Sequence, residues 1–349
     1  LYVSWIGLGG SMAVAPAWIE DGEKFALIGL SVPTETALSS RVISGGLEFL
    51  TSGDFDMPGE WREWLGTIRV EQVEESKLYL LAKMRTDVPE VLDAENQKLT
   101  RQVSDWFNGL MLTMRFWQQA DPFLVSGSRF QGKVDVRSFH GLKAPQRSIV
   151  DVAPTIAEEQ LLTGAQIGAT FAAFDGPWRS EHWRLLRCVS IYQQARRDQD
   201  FINRLHQFTR CIEGLIAAGK GKTTSQFKSR TELFVGPRHH GLMGELYEAR
   251  SDFEHLHENK YLEQFDRATR IRLAELEAVA EWVARSCLFR ILGKPALLAH
   301  FGSFPNLERF WSMAADEQRK AWGPCVDPYE PLHRFRFDWV SDDELGARR

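Results

Sequence analysis

The chain has 349 residues, of which 44% are hydrophobic and 26% charged, with a formal net charge of −5 at pH 7. This balance excludes an intrinsically disordered chain and a uniformly basic nucleic-acid binder, although a local basic patch is compatible with it. The four cysteines, Cys188, Cys211, Cys287 and Cys325, form no CxxC pair, which excludes a zinc ribbon and a disulfide scaffold and makes a reducing cytoplasm the default compartment.

At roughly 100–200 residues per domain the length fits two domains. The opening LYVSWIGLGGSMAVAPAWIED is apolar, and its AVAPA is similar to a signal-peptidase site. It lacks the positive n-region of a secretory signal, and its glycines leave it too broken to span a bilayer. No other segment reads as a membrane span.

From 24 to 150 the pattern is that of an α+β domain. KFALIGLSV (24–32), GTIRVEQV (66–73), KLYLLAKM (77–84) and GKVDVRSF (132–139) are rich in β-branched and aromatic residues or alternate in polarity, and Gly, Pro and Asp turn signals separate them. One helix interrupts them over 92–119, with Leu99, Val103, Trp106, Leu110 and Trp117 at helical spacing. KAPQRSIVDVAP (143–154), with two prolines, reads as a linker. Helices then follow over 155–172, 178–196, 198–218, 224–234, 239–257, 259–291 and 304–321, and Gly293 and Pro295 stop the longest. The expected fold is thus an N-terminal α+β domain (1–150), an all-α helical bundle (151–303) and a C-terminal extension (304–349). In that extension Phe335, Phe337 and Trp339 alternate with charged residues, as in a short strand or an arm docked on the body.

GLIAAGKGKTTSQ (214–226) is a false phosphate loop. Aligning GxxxxGK[ST] on Gly221-Lys222-Thr223 puts Ile216 at the first glycine, and aligning it on Gly219-Lys220 puts Gly221 at the Ser/Thr position. A helix also precedes it where a strand is required.

GELYEARSDFEHLHENKYL (244–262) carries Arg250, Ser251, His255 and His257. Leu242, Leu246, Ala249, Phe253 and Leu256 form one apolar stripe of an amphipathic helix, about 80° wide. Arg250 lies at its border, where a charge is partly desolvated. His257 lies within about 20° of Arg250 and His255 about 140° away on a straight helix. From geometry alone, these residues make a solvated face with Glu248, Asp252, Glu254 and Glu258 as ion-pair partners. A metal site from His239, His240, His255 and His257 is the weakest reading, because HxH on a helix splays its rings by about 200°.

ELYEARSDFEH resembles the Rx4H signature of HEPN-domain proteins, and more narrowly the Apea-like HEPN group, in which an lY-x-x-RS-x-x-x-H stretch follows a helix carrying lE-x-L. RCIEGLI, with Glu213, matches that earlier element. The helix order over 176–300 fits, and WREWLG (61–66) is similar to part of the group's N-terminal region. The motif departs from the family in one respect: His255 is followed by Leu256-His257-Glu258 and not by Gly. Family spacing selects His255; the rarer Rx6H spacing and straight-helix geometry select His257.

The resemblance implies a metal-independent endoribonuclease, with no cofactor, in toxin, abortive-infection or antiviral defence. The catalytic residues would be Arg250 and His255, supported by Ser251, Glu213, Tyr247 and His257. RNA brings its own nucleophile, the 2′-OH; histidine exchanges protons near neutral pH; arginine offers donors to a phosphate gathering charge. Glu213 would orient Arg250, or simply pair with it. The resemblance also implies a homodimer through the helical domain, with RNA as substrate and the N-terminal domain as a sensor or a contact for a regulatory protein. Two other readings stand beside it. One is a catalytically silent dimerisation or RNA/nucleotide-binding module, which the acidic neighbours Asp252, Glu254 and Glu258 favour. The other is a helical protein–protein adaptor.

Overall fold

The computed structural model describes residues 18–151, 154–174, 181–219, 221–254, 265–333 and 335–345. The opening apolar segment, His255 and His257 lie outside the described residues. The chain divides into two compact units that interleave in sequence: 1–31, 37–103 and 122–142 form one, and 32–36, 104–121 and 143–349 the other.

The first unit is built on an antiparallel sheet of six strands: β1 (Glu23–Leu30), β2 (Arg41–Ser44), β3 (Leu47–Thr51), β4 (Leu78–Arg85), β5 (Phe123–Phe130) and β6 (Lys133–Gly141), in the order β2-β3-β4-β1-β5-β6. β1 is central and buried along its whole length, which is why it reads as an apolar run from Phe25 to Leu30 after Glu23 and Lys24. Both hairpins turn on two residues with positive φ, Gly45-Gly46 between β2 and β3 and Gln131-Gly132 between β5 and β6, as type I′ turns require. A Cβ on Gly46 would also sit 2.2 Å from the Lys83 carbonyl oxygen.

Helix α1 (Gly59–Glu75) lies between β3 and β4 in sequence. It overturns the strand expected over 66–73. Ile68 and Val70 mimic a strand's alternation, but Ile68 is exposed, while Trp61, Leu65 and Val73 join the sheet's aromatic core. Gly66, at φ 69°, kinks the helix there. In that core Phe55 stacks on Tyr79 at 4.0 Å and Trp18 meets Phe25 edge-on at 5.0 Å.

Helix α2 (Ala94–Thr113) starts in the first unit and ends in the second. Among the described residues, apart from an isolated Thr34–Ile156 bridge, the second unit is otherwise helical: α3 (Glu158–Ala172), α4 (Trp183–Arg196), α5 (Phe201–Ile216), α6 (Thr223–Val235), α7 (His240–Glu254), α8 (Arg267–Gly293), α9 (Pro295–Phe301), α10 (Phe304–Ser312) and α11 (Ala315–Trp322). The single helix expected over 304–321 is broken at Met313–Ala314, whose backbone is extended. α5 is capped by Asp200, which accepts from the Ile202 and Asn203 amides, and α8 by Asp266, which accepts from Thr269. Among the described residues the tail forms no strand. Phe337–Trp339 is a 3-10 turn, and Val340 and Leu345 dock beside Ala274 of α8, held by Arg267 and Arg270 on Asp342 at 2.7 and 3.1 Å.

Two features tie this unit together. First, α2 and α3 touch through glycines: a Cβ on Gly109 would lie 2.1 Å from the Gly164 carbonyl oxygen and 2.9 Å from the Gly168 nitrogen. Gly109→Ala is therefore expected to force the helices apart and destabilise the unit by about 1–3 kcal/mol, read as a lower urea midpoint. An unchanged midpoint would mean that the crossing is looser than described.

Second, Glu277 and Glu281, one turn apart on α8 and fully buried, gather arginines from distant segments. Glu281 meets Arg285 at 2.9 Å and Arg196 and Arg115 at 3.5 Å, and accepts from the Tyr192 hydroxyl at 2.7 Å. Glu277 meets Arg204 at 2.9 Å and Arg115 at 3.3 Å, and accepts from the Ser148 hydroxyl. Asp151 takes Arg115 at 2.7 Å. Over 143–151 the stretch that reads as a linker is tied into the unit, since Ala144 is buried and Ser148 and Asp151 belong to this network.

Candidate functional site

α7 is amphipathic because Leu242, Met243 and Leu246 are buried in the helical core, with Tyr247 and Ala249 packed at its edge. The next position along this border is Arg250, whose side chain is only 12% exposed. Its guanidinium reaches across to α5, where Nη2 lies 3.1 Å from Oε2 of Glu213. It also sits 5.9 Å from the centre of the Tyr247 ring, three residues back on the same helix face. Tyr247 is itself braced by Phe227 of α6 at 5.2 Å. Three helices thus fix one cation, and Ser251 is half-buried beside it.

The same helix is anchored to α8 one turn earlier. Arg272 grips Glu245 through two parallel bonds, Nε to Oε1 at 2.7 Å and Nη2 to Oε2 at 2.6 Å. Arg272 holds the Glu245 carboxyl below its ordinary range, so this anchor is fully charged at neutral pH. Glu248 and Asp252 are exposed on the outer side of α7.

Of the residues singled out from sequence, Arg250, Glu213 and Tyr247 come together, with Ser251 adjacent. His255 and His257, the proton-transfer candidates, lie outside the described residues. His239 and His240 do not converge: His239 Nε2 accepts from Arg238, while His240 Nδ1 faces Glu232 at 2.5 Å. Among the described residues no group of His, Cys, Asp and Glu could hold a metal ion, and no helix is long and apolar enough to cross a membrane. The glycine–lysine run after α5 is a connection between helices, with no strand before it.

A side-chain cluster not singled out from sequence adjoins this site. Trp183, Arg184 and Arg187 of α4 and Arg210 and Glu213 of α5 line a cavity of about 330 Å³. The legible signal was Trp183 and Arg187 at i and i+4, which puts an aromatic ring and a cation on one helix flank, with Arg184 next to them in sequence.

Scanned against family models, curated proteins and solved structures, the chain has no match in any of the three.

Proposed function

We propose that the helical unit is a metal-independent endoribonuclease of HEPN type, working as a homodimer in growth arrest or antiviral defence. The observation that carries this reading is the Arg250–Glu213 pair at 3.1 Å, which joins two motif elements that lie on different helices. In the reaction, the 2′-oxygen of the substrate forms a bond to phosphorus and the P–O5′ bond breaks. A base takes the 2′-OH proton and an acid returns one to the 5′-oxygen, leaving a 2′,3′-cyclic phosphate and a 5′-OH. Arg250 stabilises the charge that gathers on the phosphoryl oxygens. His255, with His257 as the alternative, exchanges the proton, and a second copy of the chain supplies the complementary group.

The test is purified full chain incubated with total cellular RNA in EDTA, followed by mapping of the cut ends. Cyclic-phosphate ends are the expected result; divalent-dependent cleavage, or 3′-OH ends, would overturn the mechanism. The exposed carboxylates of Glu248 and Asp252 favour a second reading, a silent dimerisation or RNA-binding module, because they repel a phosphate backbone. RNA binding without cleavage in any cellular context would support it.

A further inference from the structure

We infer that the groove between α4 and α5 is the track for a single-stranded RNA backbone, with Arg187 and Arg210 taking phosphates and Trp183 stacking a base. The inference rests on the ribonuclease reading for its choice of strand, but its residues are distinct from Arg250.

The groove is a built feature of the helical unit. Its floor is apolar, formed by Cys188 and Ile191, both buried. Arg184 on the wall is half-buried, its guanidinium over the Phe304 ring at 4.7 Å. Arg187 and Arg210 are exposed and make no ion pair with any described carboxylate, unlike the arginines of the buried network. Among the described residues the one acid lining the groove is Glu213, and Arg250 already offsets its charge at 3.1 Å. The described lining therefore carries a net positive charge, on a protein whose overall charge is −5. A local field of this kind selects a polyanion.

Trp183 narrows the class. Its side chain is 64% exposed, and among the described residues no ring packs on it. A large exposed indole four residues from an arginine with no ion pair among the described residues, on one helix flank, has the composition of a single-strand site, where bases stack on aromatic faces and phosphates follow cations. Duplex RNA hides its bases and would leave Trp183 unused. Glu213 fixes the direction, because it lines the groove and holds Arg250. A strand with one phosphate at Arg250 runs its neighbouring nucleotides into the groove.

The test is fluorescence anisotropy of the full chain with a short labelled single-stranded RNA over a salt series, beside cleavage of the same RNA. Arg187→Ala combined with Arg210→Ala should weaken binding at least tenfold and lower the salt slope by about 1.4, two phosphate contacts at about 0.7 each. Trp183→Ala should weaken binding about tenfold with the slope unchanged. Circular dichroism and size exclusion should match wild type, since all three side chains are on the surface. Groove-dependent binding by a wild type that does not cleave would sustain the track and remove the nuclease reading. Wild-type cleavage with unaltered binding in the groove variants would remove the track and leave the nuclease. Absence of RNA binding, equal affinity for a mononucleotide or an acidic peptide, or loss of dimer and not of affinity in Trp183→Ala would each overturn the track.

Discussion

Replacing Glu281 by alanine is expected to destabilise the helical unit by about 3–5 kcal/mol, the cost of removing one partner from a buried ion pair. That is a large share of the roughly 5–15 kcal/mol by which a domain is stable. The side chain is 1% exposed and faces Arg285, Arg196 and Arg115, which come from α8, α4 and the segment after α2. With the carboxylate gone, three guanidiniums share low-dielectric space, and Tyr192 loses the shorter of its two acceptors, keeping only the Met111 carbonyl. Arg285→Ala should cost less, because Arg285 lies at the partly exposed edge of the network and Arg196 and Arg115 remain on Glu281. Burial alone would raise the Glu281 carboxyl, but Arg285, Arg115 and Arg196 outweigh it and hold it at about 2, against an ordinary 4.5. Its contribution is then complete above about pH 4.5 and is lost as pH falls from there towards 2. Asp151 opposes this trend, since burial pushes its carboxyl up and its neutral form is the better tolerated. The measurement is urea unfolding of wild type and Glu281→Gln between pH 3 and 7. The variant should show the shallower loss at the acid end. A Glu281→Ala cost below about 1 kcal/mol, the level of an exposed pair, would mean that water enters the network.

Much of the architecture was legible because burial leaves a pattern. β1 showed as KFALIGL, and the long α8 as a run without Gly or Pro. GTIRVEQV misled because two apolar residues alternating with charges fit a strand locally, and only the sheet face offered to Trp61 and Val73 decides for helix. β2, β3 and β5 escaped because their hairpin signals, Gly-Gly and Gln-Gly, are weaker than Asn-Gly, and because FLVSGSRF carries a glycine and two serines. The buried network was invisible in principle. Glu277 and Glu281 on a helix read as a solvated face, and one partner, Arg115, is 162 residues from Glu277. The candidate site lies between these cases. Helical spacing put Arg250 at the border of the apolar stripe, and its side chain is largely buried there. Helical spacing could not reveal that Glu213, on another helix, would meet it; that pairing was expected only from the resemblance of RCIEGLI and ELYEARSDFEH to one family. The groove arginines carried no family signal and needed α4 and α5 side by side.

Arg250→Ala is expected to lower the rate of RNA cleavage by about 10²–10³-fold while the chain still folds and binds RNA, the loss typical of removing one donor from a developing anion. The expectation follows from how the side chain is held. Glu213 and Tyr247 fix the guanidinium before substrate arrives, so little reorganisation is needed in the transition state. Arg250→Lys keeps the charge but loses the planar fork, and should recover only part of the rate. Glu213→Gln separates the two roles open to this acid. If Glu213 orients Arg250 for catalysis, Glu213→Gln should reduce kcat more than KM, and its effect should vanish in an Arg250→Ala background. If Glu213 is only a structural tie, kcat should stay at the wild-type value and the unfolding midpoint should fall. His255→Ala and His257→Ala assign the proton. The variant with the larger loss names the working histidine, and its residual activity should lose one limb of the pH–rate profile. Cleavage at the wild-type rate in Arg250→Ala, with a lower unfolding midpoint, would remove the site from the chemistry and leave the Arg250–Glu213 pair as a tie between α5 and α7.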